Sequence, residues 1–307
     1  MKVFVTGGAG FIGSHLVASL LKENNQVMIY DNLKNSSKDK ISHLLKNGAL
    51  FVKGNIIDYK TISKSMTDFD CVVHLAGETD VQESIKFPER TNQVNVTGTV
   101  NVLRACVEQD VSNVIAASSA AVFGNPKDLP LSENSQTAPI SPYGASKIAI
   151  ENYMKAFSHS YDLNCITLRF FNVFGENHSN DYAGVITKFM ERIAKNKSLE
   201  IFGDGSNTRD FVYVEDVIQS ILGAIAKVDG KKGNFYNIGS GKYITIKDLA
   251  KLMISISGKS LSIECKKPRK GDIQHSQTSI WLAQRELGYN PKITLKEGLE
   301  RLLKSPS

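Results

Sequence analysis

The sequence predicts an α/β fold in which helices cover both faces of a doubly wound parallel β-sheet, joined to a smaller α/β domain. Short β-branched runs alternate with longer helical patterns through the first 170 residues, which is typical of βαβ units. A glycine-rich turn follows the first of these runs directly. After Phe171 the alternation stops and turn-rich segments separate the remaining elements. The smaller domain is therefore expected to be discontinuous.

The individual elements follow from apolar runs and from the turn residues that separate them. Strands are expected, in chain order, at residues 3–6, 27–30, 50–53, 71–75, 114–118, 165–168, 211–214 and 235–238, with the last two as late elements of the sheet domain. Helices are expected at 185–195 and 215–228, and residues 245–307 are expected to form a helix, a strand and two more helices. The sheet domain is assigned residues 1–172 and 207–238, and the smaller domain residues 173–206 and 239–307.

Composition excludes several classes of protein. The chain has 307 residues, 41% of them hydrophobic, with 37 Lys and Arg against 31 Asp and Glu. A chain of this kind buries a large core, which excludes disordered, collagen-like and disulfide-scaffold proteins. The net charge of +6 is too small and too dispersed for a nucleic-acid surface, although four of the positive charges cluster at residues 266–270.

The cellular location is inferred from apolar runs and cysteines. No apolar run approaches the roughly 20 residues that cross a bilayer, and the N-terminus enters a strand pattern with no room for a signal peptide. Cys71, Cys106, Cys165 and Cys265 lie far apart, without the spacing of metal ligands, and are expected to be buried free thiols. We therefore expect a cytoplasmic protein that binds no membrane, nucleic acid or metal.

The glycine-rich turn is expected to bind a dinucleotide. Gly8, Gly10 and Gly13 form the pattern G-x-G-x-x-G between the first strand and an apolar helical pattern. Glycine is needed there because the turn is tight and because side chains would hold a pyrophosphate away from the helix N-terminus. Asp31, 18 residues after Gly13, ends the second strand and can accept hydrogen bonds from an adenosine ribose, which favours NAD over NADP.

Motifs along nearly the whole chain resemble those of one enzyme family. They lie at residues 6–14, 31–33, 74–77, 95–99, 118–124, 141–147, 169–175, 203–205, 209–212 and 269–272. In these segments the sequence resembles the extended short-chain dehydrogenase/reductase family, and within it the nucleotide-sugar 4-epimerases of the UDP-glucose and UDP-N-acetylglucosamine type. The resemblance implies a Rossmann-type NAD site with contacts from Gly7, Gly10, Phe11, Ile12, Gly13, Asp31, Asn32, Asn55, Ile56, Leu75, Ala76, Gly77, Asn95, Tyr143 and Lys147.

Tyr143 and Lys147 are the expected catalytic pair. At i, i+4 they share one helix face behind the strand that ends at Ser119, so the lysine ammonium can stay near the phenol. The pKa of a free tyrosine is about 10, and a nearby ammonium together with the positive nicotinamide ring favours the phenolate, a useful general base. The resemblance implies that Ser119 hydrogen-bonds the same sugar oxygen. The spacing alone is weak, because it recurs at Tyr30/Lys34 and Tyr243/Lys247.

The reaction is inferred from two small residues after Ser119. In the family, 4,6-dehydratases have an acid pair there, and decarboxylases have a glutamate two residues after the serine. Here those positions are Ala120 and Ala121, which cannot transfer a proton. We therefore predict C4 epimerisation, in which Tyr143 takes the hydroxyl proton and hydride passes to NAD, then returns to the opposite face of a turned 4-keto sugar. The alternatives are a decarboxylase, a 4,6-dehydratase, a 4-ketoreductase or a non-catalytic dinucleotide-binding module.

The substrate contacts are implied by the resemblance alone. Arg209 and Arg269 fall where the family binds the nucleotide diphosphate. Asn172 matches a substrate-binding asparagine, and Asp272 matches the acid near the nucleoside ribose. Ser276 stands where the family lines the hexose C2 substituent, and its small side chain implies room for an N-acetyl group as well as a hydroxyl.

The loop after residues 74–77 is acidic, because it contains Glu78, Asp80 and Glu83. These side chains are expected either to be solvated or to contact the sugar.

The oligomeric state is implied by the resemblance. The helical patterns at 94–107 and 148–157 correspond to helices that pair across a two-fold axis in the family, which implies a homodimer.

Overall fold

The computed structural model describes residues 1–126, 128–177, 184–268 and 273–304 as an α/β structure. Its strands are β1 (Lys2–Thr6), β2 (Gln26–Asp31), β3 (Leu50–Lys53), β4 (Cys71–His74), β5 (Asn113–Ser119), β6 (Asn164–Phe170), β7 (Asn172–Phe174), β8 (Leu199–Phe202), β9 (Thr208–Arg209), β10 (Phe211–Tyr213), β11 (Lys232–Ile238), β12 (Ile244–Thr245) and β13 (Ile263–Lys266).

The helices alternate with the strands of the first half of the chain, as the sequence predicts. They are α1 (Phe11–Lys22), α2 (Ser42–Lys46), α3 (Tyr59–Ser65), α4 (Val81–Lys86), α5 (Pro88–Asn92), α6 (Gly98–Glu108), α7 (Pro142–Ser160), α8 (Val185–Ala194), α9 (Val214–Lys227), α10 (Ile246–Ser257), α11 (Trp281–Leu287) and α12 (Leu295–Lys304). A π-helical turn (Gln93–Thr97) leads into α6, and a 3₁₀ turn (Ala120–Phe123) follows β5.

The central sheet has seven parallel strands in the order β3-β2-β1-β4-β5-β6-β11. This is the Rossmann-type doubly wound sheet that the sequence predicts. The strand order reverses between β1 and β4, and in such sheets the crevice at the carboxyl ends of the strands binds ligands at that point.

Helices pack on both faces of the sheet. Successive residues of a strand point to opposite faces, so each strand contributes side chains to both layers. Val3 and Val5 of β1 belong to a hydrophobic cluster that also contains residues of α1 and α9. Phe4, between them, belongs to a second cluster that contains residues of α6 and α7. The helix α7, which carries the predicted catalytic pair, is thereby packed on the sheet along its length.

A third hydrophobic cluster lies outside the sheet. It joins one face each of α8, α10 and α12 with β8 and β10. The short strands here pair locally, β13 with β8 in parallel and β12 with β9 in antiparallel. Residues 283–289 pack instead with the first sheet cluster. The assignment of residues 173–206 and 239–307 to a separate domain remains a prediction.

The strand expected at 211–214 differs from its prediction. It forms as β10 but pairs in parallel with β7 in a separate two-stranded sheet, and does not extend the seven-stranded one. Its side chains explain the placement, because Phe211 and Tyr213 join the third cluster while Val212 joins the first. The strand is buried on both sides without a place in the central sheet.

The cysteines follow the prediction in three positions. Cys71, Cys106 and Cys165 are buried free thiols, whereas Cys265 is exposed, as are its neighbours Glu264 and Lys266 in β13. Within the described ranges, no helix is both long and apolar enough to span a bilayer.

Candidate active site

The turn between β1 and α1 forms one wall of the site. Gly7 has φ of +69°, and a Cβ atom built there would lie 2.7 Å from the backbone nitrogen of Ala76. A Cβ atom at Gly13 would lie 2.2 Å from the carbonyl oxygen of Gly7. Both positions therefore need glycine, the first for its backbone conformation and both for close approach. Gly10 caps α1 without a side-chain hydrogen bond, so the helix N-terminus faces the turn without a side chain over it.

Asp31 lies at the carboxyl end of β2, beside this turn. Its carboxylate accepts hydrogen bonds from the backbone N–H groups of Ala9, at 3.1 Å, and Leu33, at 2.8 Å. Burial raises the pKa of Asp31 although these two bonds lower it. The adjacent Asn32 accepts a hydrogen bond from the backbone of Lys34, which shapes the start of the next loop.

A cavity of about 1020 Å³ runs along the carboxyl ends of the strands. It is at the upper end of the roughly 300–1,000 Å³ that ligand sites usually enclose. Its lining includes these predicted cofactor-binding and catalytic residues: Gly7, Gly10, Phe11, Ile12, Gly13, Asp31, Asn32, Asn55, Ile56, Leu75, Ala76, Gly77, Ser119, Tyr143 and Lys147. The close glycine approaches, the acidic end of β2 and the volume of the cavity fit a dinucleotide such as NAD.

Asn95 is placed differently from the other predicted cofactor residues. It is fully buried behind the cavity lining, where its side chain accepts a hydrogen bond from the backbone N–H of Glu78 at 2.7 Å. Its amide group donates to the carbonyl oxygen of Glu78 and to the hydroxyl of Ser146. Asn95 therefore fixes the loop after β4 against α7.

Tyr143 and Lys147 open α7, whose first turn is capped by Ser141. The backbone N–H of Tyr143 donates to the Ser84 hydroxyl at 3.1 Å. The Lys147 ammonium lies 5.7 Å from the centre of the Tyr143 ring and donates to the carbonyl oxygen of Ala117 at 2.9 Å. The phenol shares a hydrogen bond with the hydroxyl of Ser119. The structure thus brings the three predicted catalytic side chains together at the cavity.

Burial controls the charges of this group. It raises the pKa of Tyr143, and the hydrogen bond from Ser119 opposes it only in part. Desolvation therefore outweighs the stabilisation of the phenolate by Ser119. Burial also lowers the pKa of Lys147 to about 8, although the charge of Glu151 opposes this shift. Lys147 is consequently charged at neutral pH and loses its charge within an accessible pH range.

A neutral histidine lies beneath the lysine. Burial, followed by the charge of Lys147, lowers the pKa of His74 to about 3. Its ring nitrogens are 2.7 Å from the hydroxyl of Thr6 and 3.0 Å from that of Thr99. His74 therefore links β1, β4 and α6 without adding charge to the site.

The other two Tyr-x-x-x-Lys pairs do not form a comparable centre. The hydroxyl of Tyr30 donates to the carbonyl oxygen of Asn55, and Lys34 pairs with Glu78. Tyr243 is 56% exposed at the surface. Tyr30 and Lys34 also line the cavity, but they bond to Asn55 and Glu78, whereas Tyr143 and Lys147 line it together with Ser119.

Three of the predicted substrate residues, Asn172, Arg209 and Ser276, lie at or beside the segment Thr208–Arg209. The side-chain amide of Asn172 donates to the carbonyl oxygen of Asp210 at 3.0 Å, and the backbone of Ser276 donates to that of Thr208 at 3.1 Å. Asn172, Arg209 and Ser276 are thus neighbours through these bonds, although they lie outside the lining of the cofactor cavity. Arg269 and Asp272 lie outside the described residues.

The acidic loop is ordered by specific partners, which the sequence reasoning missed. Glu78 is buried and forms ion pairs with Lys34 and Arg90. Asp80 caps α4 by accepting a hydrogen bond from the backbone of Glu83. A second missed pair, Glu151 with Arg169, lies under the catalytic helix. Glu151 is four residues after Lys147, a spacing that predicts the same face of α7 for both. The spacing does not identify the partner of Glu151, which comes from β6.

Comparisons with known proteins agree with this geometry. Residues 3–239 match the NAD dependent epimerase/dehydratase family. The chain is 34% identical to UDP-glucose 4-epimerase of Mycolicibacterium smegmatis over 98% of its length and 97% of the relative. Among solved structures, Thermotoga maritima UDP-glucose 4-epimerase with UDP-glucose is 35% identical, with a TM-score of 0.92 and coverage of 99% of this chain and 98% of that one.

A second similar solved structure is that of an enzyme named for an N-acetylated sugar. It is the UDP-N-acetylglucosamine 4-epimerase of Methanobrevibacter ruminantium in complex with UDP-N-acetylmuramic acid, at 34% identity and a TM-score of 0.92, with coverage of 99% of this chain and 97% of that one. These matches confirm the resemblance drawn from the motifs. The chain belongs to the NAD-dependent epimerase/dehydratase family.

Proposed function

We propose that the protein is an isomerase that interconverts a UDP-hexose and its C4 epimer, with UDP-glucose and UDP-galactose as the first pair. This proposal depends on one observation. Tyr143, Lys147 and Ser119 lie together at the cofactor cavity, and alanines occupy the two positions directly after Ser119, at 120 and 121. When bound, NAD supplies reversible oxidation at C4 of the sugar. The epimerase activity of the similar proteins from Mycolicibacterium and Thermotoga supports the same reaction.

In the proposed mechanism, two side chains of α7 control the transfer of one proton. Tyr143 accepts the proton of the C4 hydroxyl as the general base and later returns it. The ammonium of Lys147 stabilises the phenolate form, which burial otherwise disfavours. Ser119, whose hydroxyl bonds the phenol, orients the sugar oxygen toward it. Tyr143 and Lys147 also belong to the lining of the cavity that would hold NAD.

Two of the four alternatives, the dehydratase and the decarboxylase, need groups that the positions after Ser119 lack. Alanine at 120 and 121 supplies neither the acid pair of a dehydratase nor the glutamate of a decarboxylase. A 4-ketoreductase would consume cofactor with every turnover. A non-catalytic module would not need the Tyr143–Lys147–Ser119 arrangement. The epimerase reaction uses only the groups that are present.

For the substrate we propose that Arg209 and Arg269 hold the diphosphate, Asn172 and Asp272 hold the sugar and the nucleoside ribose, and Ser276 faces the C2 substituent. Ser276 is 5% exposed and next to the strand of Arg209, which supports a position at the substrate end. Its small side chain supports acceptance of an N-acetyl group as well as a hydroxyl.

The test is to incubate the purified protein with UDP-glucose and with UDP-N-acetylglucosamine without added cofactor, and to identify the products by NMR. We expect each sugar to be converted to its C4 epimer, up to the same equilibrium from either side. A stoichiometric need for added NAD or NADP, with release of a 4-keto sugar, would indicate a ketoreductase acting in reverse, and loss of water would indicate a dehydratase. A decarboxylase would leave both sugars unchanged, because neither carries a carboxylate. Turnover of UDP-glucose alone would contradict only the role given to Ser276.

The rate should depend on the charge of Lys147. A lysine is charged below its pKa, so with a pKa of about 8 we expect kcat/KM to fall as the pH rises through that value. In Lys147→Met this alkaline decline should vanish, and kcat/KM at pH 7 should be about 10²-fold lower. A decline that persists unchanged in Lys147→Met would assign it to another group. The measurement is a pH profile of epimerisation for both proteins.

We also propose that the protein is a homodimer that works in the cytoplasm. One stripe of α7 carries Ala145, Ala149, Asn152 and Ala156, all at least partly exposed, and Tyr153 beside them is 39% exposed. Small side chains in a row let a second copy of α7 approach closely, which supports pairing through this helix. The three buried free thiols support a reducing compartment. Light scattering should give twice the chain mass of 33.7 kDa.

A further inference from the structure

An ion pair crosses the cofactor cavity between two loops. Lys34 lies in the loop after β2 and Glu78 in the loop after β4, and both side chains line the cavity. The Lys34 ammonium contacts Oε1 of Glu78 at 2.5 Å. The two residues are 44 positions apart in the sequence.

The strand order determines which part of the cavity lies between the two loops that this ion pair joins. In the sheet, β1 lies between β4 and β2. A contact between the loops that follow β2 and β4 therefore spans the carboxyl end of β1, where the glycine turn from Gly7 to Gly13 begins. That turn is the part of the cavity shaped to let a pyrophosphate approach the backbone.

Within the pair, other residues hold Glu78 in a buried position, whereas the Lys34 side chain is more exposed. The Glu78 side chain is 9% exposed, and Arg90 of α5 donates to both of its carboxylate oxygens, at 3.2 and 3.0 Å. Its backbone is held on both sides by Asn95. Although burial raises the pKa of Glu78, the bonds from Arg90 and Lys34 hold it below its usual value, so the carboxylate is charged. The Lys34 side chain is 42% exposed and joins the site only through its tip.

We propose that Lys34 and Glu78 form a clasp that closes over bound NAD at the glycine turn and slows its release. The inference rests on the NAD-dependent epimerase function proposed above. An epimerase completes two opposite steps on one sugar, and loss of cofactor between them would strand a 4-keto product. A slow cofactor release is therefore useful to this reaction, whereas a reductase has to exchange its cofactor in every cycle.

The experiment measures release of NAD from the purified holoenzyme, which is mixed with excess etheno-NAD so that exchange is followed by fluorescence. We expect Lys34→Gln and Glu78→Gln each to release NAD about three- to tenfold faster than the unchanged protein. The double variant should release NAD no faster than the faster single variant, because both changes break one contact. Lys34→Gln is decisive, since it alters an exposed side chain and leaves the Glu78–Arg90 pair in place.

The matched control is Lys38→Gln, which removes the same charge from the same loop at an exposed position outside the cavity lining. It should release NAD at the unchanged rate. The clasp is overturned if Lys34→Gln also keeps that rate, or if Lys38→Gln accelerates release as much, which would indicate general attraction between the loop and the phosphates. If the unchanged protein binds neither NAD nor etheno-NAD, the proposed function fails instead.

Discussion

Tyr143→Phe is expected to lower kcat for C4 epimerisation by about 10²- to 10⁴-fold while leaving the NAD content and the unfolding midpoint unchanged. The substitution removes one oxygen and keeps the ring. The backbone of residue 143 still donates to Ser84, and Pro142 and Ser141 still start the helix. Because the phenolic oxygen is the proposed base, no group of similar position remains to take the C4 hydroxyl proton. The measurement is the initial rate of UDP-glucose conversion by the holoenzyme.

Tyr243→Phe provides the control for this change. Tyr243 has the same spacing to a lysine, Lys247, but its side chain is 56% exposed. We expect unchanged kcat and KM for this variant. If Tyr143→Phe turned over UDP-glucose within about threefold of the unchanged protein, the general-base role would be wrong. A change in KM alone would indicate that the phenol only binds the sugar.

The central sheet could be predicted from the sequence because its strands are buried on both faces. Such strands are continuous apolar runs, as in Cys71–His74, and each is bounded by turn residues. The short pairs outside the sheet could not be predicted. Thr208–Arg209 and Ile244–Thr245 are only two residues long, so they have no periodicity, and their pairing depends on contacts that form after the chain has folded.

The cofactor cavity could be predicted for a related reason. The glycine turn and Asp31 have local requirements of backbone conformation and strand position that leave a signature in the sequence. The pairs Lys34–Glu78 and Arg169–Glu151 leave none, since each joins residues far apart in the chain. Glu78 was expected to be solvated or to contact the sugar, but Lys34 and Arg90 bind its carboxylate in a buried position.

Among the described residues, Arg169 and Glu151 form the most deeply buried ion pair, which joins β6 to the catalytic helix. Both side chains are almost fully buried, at 3% and 6% exposure. Arg169 donates to the two Glu151 oxygens at 2.8 and 2.7 Å and to the carbonyl oxygen of Glu133 at 3.2 Å. The Ser118 hydroxyl donates to Glu151 at 2.6 Å. The guanidinium also lies 4.0 Å from the centre of the Phe235 ring.

Arg169→Met is therefore expected to lower the free energy of unfolding by about 3–5 kcal/mol. The methionine fills much of the arginine's volume, so the loss comes mainly from the Glu151 carboxylate, which stays buried without its bidentate partner. The double variant Arg169→Met/Glu151→Met should recover most of this loss, because it removes the unpaired charge as well. The measurement is urea unfolding at fixed protein and NAD concentrations, because any ligand or partner that binds only the folded state adds to the apparent stability.

Lys251→Met is the control, because it breaks an exposed ion pair with Asp248 in which the side chains are 60% and 56% exposed. Such pairs contribute about 0–1 kcal/mol, so its midpoint should barely move. An Arg169→Met protein as stable as Lys251→Met would mean that water or a neighbouring group satisfies Glu151. A double variant no more stable than Arg169→Met would assign the loss to packing against Phe123 and Phe235, both of which the guanidinium contacts. The expected order, with the double variant between the other two, follows only if the unpaired charge dominates.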